Sequence, residues 1–94
     1  MRMPPRQPII GPKASLEQAR LTASGVNWLI EEPAGALRVS AQIRHHHQAA
    51  PALVRSLGEG RAEAVFDEPQ LAISPGQAVV FYDGDSVVGG GWID

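Results

Sequence analysis

Alternation of apolar and polar residues at a spacing of two is the feature that most limits what this chain can fold into. It is clearest in "ALRVSAQIR". Leu37, Val39, Ala41 and Ile43 share one face, and Arg38, Ser40, Gln42 and Arg44 the other. Side chains of a strand point alternately to opposite faces, so this is the pattern of a half-buried strand. "EGRAEAVFDEP" repeats it, with Ala62, Ala64 and Phe66 against Arg61, Glu63 and Asp67. "PALVRSL" reads as a partner for the first strand, across the polar stretch from His45 to Ala50. "QAVVFYDGDSVVGGGWI" holds two strands around Asp-Gly-Asp, a strong hairpin signal. "RLTASGVNWLI" alternates roughly up to a Gly-Val-Asn-Trp step. About six short strands recur at spacings near ten residues.

Ten glycines and eight prolines in 94 residues supply the turns this requires. No long helix separates the strands, which disfavours a parallel sheet. The expected fold is an all-β, Greek-key-like antiparallel barrel of about six strands, since closure removes exposed edges. Residues 1–12 read as an N-terminal arm rich in proline, and 13–94 as the barrel domain. "ASLEQARL" suggests one or two helical turns capped by Ser15. At 44% hydrophobic, the chain can build one modest core.

The glycines raise the question of phosphate binding, and their spacing answers it. Lys13 is the sole lysine and follows no glycine in the register of a Walker loop. "GDSVVGGG" lacks dinucleotide-fingerprint spacing, and three residues after Gly91 leave no room for a helix. Turn chemistry explains them better. Pro75 and Gly76 suit the middle of a type II turn, Asp83-Gly84 a type I′ turn, and Gly89 to Gly91 a strand bulge or a close backbone approach.

Absence of cysteine excludes disulfides, thiolate metal sites and thiol nucleophiles. The three histidines of "RHHHQ" are adjacent, so on a strand their rings point to opposite faces and do not converge on a metal. No serine sits in a nucleophile elbow. The acidic pairs Glu31-Glu32, Asp67-Glu68 and Asp83/Asp85 adjoin proline or glycine, as turns demand. Trp28 and Trp92 read as core or rim packing rather than base-stacking platforms. Arg38 and Arg44 share a polar face, which serves equally as a patch for phosphate or RNA and as a solvated sheet surface. A net charge of -2 gives no global attraction to nucleic acid, so any such contact is local. The N-terminus lacks the apolar stretch of a secretory signal and no run is long enough for a membrane helix, so no membrane role and a cytoplasmic location are expected.

Several blocks together carry a family resemblance: "NWL" at 27–29, "QIRHH" at 42–46, and "VFDEPQLAISPGQAVVFYDGDSVVGGG" at 65–91. Their order and spacing resemble the C-terminal barrel of the bacterial tRNA-specific 2-thiouridylases, and "IIGPKASL" with "ARL" resembles the lead-in from that family's central domain. The resemblance covers residues 8–93. It implies a barrel similar to those of translation factors, in an enzyme that activates uridine 34 of tRNA with ATP and magnesium and adds sulfur delivered as a persulfide. That chemistry lies in a Ser-Gly-Gly-x-Asp-Ser loop and two cysteines, none of which is in this chain; "ASGVNW" shares only Ser-Gly. The implied role is a non-catalytic module without cofactor or metal, with tRNA and the catalytic and central domains as partners. Positions matching the family's tRNA contacts are Arg44, His45 and Gln77. His45 stands where the family often has tyrosine, which puts stacking at that place in doubt. The alternative is a docking module that orients the catalytic domain with little RNA contact; exposed apolar surface would favour it.

Overall fold

The computed structural model describes residues 17–43, 48–71 and 73–94. They form six strands: β1 (Glu17–Trp28), β2 (Leu37–Ile43), β3 (Ala50–Gly58), β4 (Arg61–Leu71), β5 (Ala78–Asp83) and β6 (Ser86–Ile93). All pairings are antiparallel, and the strands close into a barrel in the order β1-β4-β3-β2-β5-β6. β2, β3 and β4 are hairpin-connected neighbours, and β1 lies beside β4, which is the Greek-key arrangement. The expected class and strand number are therefore borne out.

Alternation decides which residues fill the interior. Val39, Ala41 and Ile43 of β2 are buried, as are Ala62, Ala64 and Phe66 of β4. Ala23 and Ala52 join them. These small residues let opposite walls of a narrow barrel approach, and Phe66 and Phe81 fill what space remains. Phe81 is fully buried and stacks on Trp28, with ring centroids 6.0 Å apart and planes inclined by 23°.

Two local expectations are corrected. Glu17 to Arg20 continue β1, with Glu17 opposite Leu71 and Arg20 opposite Val65, so the long-range ladder overrides local helical preference there. The turn with two positive φ values is Glu59-Gly60, at 56° and 74°, the type I′ signature. In the β5–β6 hairpin Asp83 pairs with Ser86, so the loop is Gly84-Asp85, and only Gly84, at its first place, has positive φ. That matches type II′.

The β6 bulge falls one residue before the three glycines, which themselves mark close backbone approach. Phe81 pairs with Gly89 and Tyr82 with Val87, leaving Val88 as the extra residue of β6. Beside it, a Cβ on Gly90 would lie 2.7 Å from the Val79 carbonyl oxygen, and one on Gly91 would lie 2.8 Å from that of Ser24. Both neighbouring strands approach β6 too closely for a side chain.

Candidate nucleic-acid interface

Arg44 and His45 lie outside the described residues; Gln77 lies within them. Gln77 is placed by the turn that precedes β5. Its N–H faces the Ser74 carbonyl at 3.4 Å, and Gly76, at φ 87°, has the conformation a type II turn requires. The end of β6 fixes the turn from the other side. Gly76 N–H donates to the Ile93 carbonyl, and Ile93 N–H donates to the Gln77 carbonyl, both at 2.7 Å. The Gln77 backbone is thus held twice, while its side-chain carbonyl oxygen is buried without a hydrogen-bond partner. Such an acceptor costs roughly 1–3 kcal/mol until a donor reaches it.

β2 delivers a second piece to the same place. Ile43, its last residue, pairs with Val79, two residues along β5 from Gln77. Next along β2, the Tyr82 hydroxyl donates to the Gln42 side-chain oxygen at 3.3 Å. On β6, Trp92 pairs with Ala78 and is 57% exposed, so of the two expected packing places it takes the rim, beside Gly25, and not the core. It borders an open groove of about 350 Å³ that includes Gly25, Asn27, Leu29, Val87 and Gly90, and no charged side chain among the described residues lines it.

Two of the described arginines have a carboxylate each. Arg38 donates from Nη1 to both carboxylate oxygens of Asp67 at 2.8 Å, and Arg61 pairs with Asp94 at 3.3 Å. The Asp94 carboxyl is held below its ordinary range, first by the Ser24 hydroxyl, then by Thr22 and Arg61.

Glu63 is the one charged residue buried among the described residues, and sequence alternation had placed it only as an outward residue of β4. Arg55 Nε donates to Oε1 at 2.8 Å and Arg20 Nε pairs with Oε2. The Arg55 hydrogen bond, opposed by burial and aided by Arg20, holds the Glu63 carboxyl below its ordinary range. A carboxylate with a lowered folded pKa contributes stability above its unfolded pKa, roughly 4.3, and loses it as pH falls through the folded value. Urea midpoints measured from pH 6 to pH 3 should therefore fall more steeply for the native chain than for Glu63→Gln. Parallel curves would show that the two arginines do not stabilise the carboxylate.

No group of three His, Cys, Asp or Glu side chains among the described residues is gathered as a metal site needs. What the Gln77 end offers instead is hydrogen bonding, bare backbone and an aromatic face.

A closed antiparallel barrel with this glycine-pinched seam defines the class, and the sequence model described as the aminomethyltransferase beta-barrel domain matches residues 18–93. The chain belongs to that family. Its curated relatives include the tRNA-specific 2-thiouridylase MnmA of Syntrophotalea carbinolica, 49% identical over 88 residues, covering 94% of this chain and 25% of the relative. The protein of the same name from Geobacter metallireducens is 46% identical over 89 residues, covering 95% of this chain and 24% of the relative. The resemblance to the C-terminal domain of the 2-thiouridylases is thereby borne out, and the chain spans about a quarter of the length of these relatives.

Proposed function

We propose that this barrel is a non-catalytic, tRNA-contacting module of a 2-thiouridylase that acts on uridine 34. The observation that carries this reading is Gln77: a side-chain acceptor with no internal partner, on a twice-anchored turn, beside the end of the strand that leads to Arg44 and His45. Its Oε1 is buried, so the side chain swings outward to meet a ribose hydroxyl, and the oxygen gives up no internal hydrogen bond in doing so. Arg44 supplies a phosphate partner, and His45 a further hydrogen bond to backbone or sugar. Few phosphates are neutralised in this reading, so binding weakens only shallowly with salt.

ATP with magnesium and a persulfide donor belong, in this reading, to the rest of the enzyme. This chain's residues do not fit either group, having neither cysteine nor a Ser-Gly-Gly-x-Asp-Ser loop.

The test uses the Syntrophotalea carbinolica enzyme with residues 18–93 of this chain exchanged for its own matched stretch. Gln77→Ala should weaken tRNA binding about threefold to tenfold, the worth of one neutral hydrogen bond, with the salt slope unchanged. Arg44→Ala should weaken it and lower the slope by about one phosphate contact. Native affinity in both variants would overturn the assignment.

A further inference from the structure

The outer face on the far side of the barrel carries a second surface. Register places Arg20, Val65, Leu53 and Arg38 in one row across β1, β4, β3 and β2. Val65 and Leu53, at its centre, are 41% and 40% exposed although apolar. In the adjoining row, Arg55 pairs with Glu63 across β3 and β4.

Charge on this face does not balance. Arg38 and Arg61 each have a carboxylate of their own, whereas Arg20 and Arg55 share Glu63. The shared carboxylate is 10% exposed and the two arginine side chains 67% and 60%. Each meets it through Nε, so one carboxylate serves two guanidinium groups. A guanidinium fork matches a carboxylate in shape and charge. A surplus cation beside an apolar pair is the composition of an interface centre, where arginine and apolar anchors are enriched.

The occupant must suit both parts. RNA would use the arginines but leave Leu53 and Val65 wet. An apolar polypeptide segment bearing a carboxylate uses both. Three-quarters of the length of the relatives lies outside this chain, and a tether raises effective concentration enough for a small face to suffice. β4 lies three places round the ring from β5, so docking here leaves the Gln77 end open.

We propose that the Arg20–Val65–Leu53 face, with Arg55, is the seat on which the remainder of the longer enzyme polypeptide docks, through an apolar segment carrying a carboxylate. The inference rests on family membership and not on the RNA reading, so either can fail alone.

With no cysteine in the chain, Val65→Cys places a single thiol at the centre of the face. Maleimide labelling, followed peptide by peptide by mass spectrometry, should be about tenfold slower in the exchanged enzyme than in the 94-residue chain, equivalent to about 1.4 kcal/mol of protection. A Val87→Cys control on β6, exposed in the barrel, should label equally in both, and a thiol placed at fully buried Val54 (Val54→Cys) should stay unlabelled in both, which reports that the barrel is folded. Adding Arg20→Gln to Val65→Cys should restore roughly threefold of the rate in the exchanged enzyme, as loss of one ion pair predicts. Equal labelling of Val65→Cys in the two proteins would overturn the proposal. So would protection in the 94-residue chain on adding total tRNA, which would make this an RNA face, or protection of Val87→Cys instead.

Discussion

Gly90→Ala is expected to destabilise the barrel by about 2–3 kcal/mol, towards the upper end of what overpacking costs. The added methyl would lie 2.7 Å from the Val79 carbonyl oxygen and 3.4 Å from the Val80 Cα, both backbone atoms of β5. A flexible side chain would swing aside; a strand held in a closed ladder cannot, because every other strand would have to follow. Gly35→Ala is the matched control. Its Cβ would meet nothing within 4 Å, and the substitution should be neutral or stabilise by up to about 1 kcal/mol. Urea unfolding of the three proteins, followed by far-ultraviolet circular dichroism, decides the matter. A Gly90→Ala variant as stable as the native chain would mean that the β5–β6 seam is looser than the structure has it.

The same seam shows how far the sequence could be read. Alternation found the inner faces of β2 and β4 because burial on one side of a strand leaves a period of two in the residues themselves, as at Val39, Ala41 and Ile43. The Ser74 to Gln77 turn was legible because proline and glycine at its centre have one conformational reason to be there. Facts set by distant partners were not legible. The start of β1 looked helical because Glu17 to Arg20 favour a helix locally, and only the β4 ladder makes them a strand. Glu63 sits on the polar face, as read, yet Arg20 and Arg55 from two other strands close over it. Trp92 exposes most of an aromatic ring next to bare glycine backbone, which hydropathy alone would have buried. Gln77 is the limiting case. Its turn was predicted from chemistry, its candidate role came only from family resemblance, and its unpartnered carbonyl is a property of the packed barrel.

Phe81→Ala should cost about 3–5 kcal/mol, the range for emptying a buried phenylalanine site. Phe81 is fully enclosed between strands whose backbones are fixed by the closed ladder, so the walls can collapse little into the space it leaves. Its cross-strand neighbours are Ala41 and Gly89, which have no bulk to move inward. Trp28 also loses its stacking partner, adding about 0.5–1.5 kcal/mol of aromatic pairing to the change in buried area. Phe81→Leu keeps most of the volume and should recover more than half of the loss. Trp28 reports the event directly once Trp92 is replaced by phenylalanine: its emission should shift to the red in folded Phe81→Ala as water reaches the ring. If Phe81→Ala unfolds within about 1 kcal/mol of the native chain, the site collapses after all. The barrel would then be held by its ladder and its small-residue layers rather than by the Phe81–Trp28 pair. That result would move the stabilising centre towards Ala52, Ala62 and Ala64, behind the face on which Arg20 and Arg55 share Glu63.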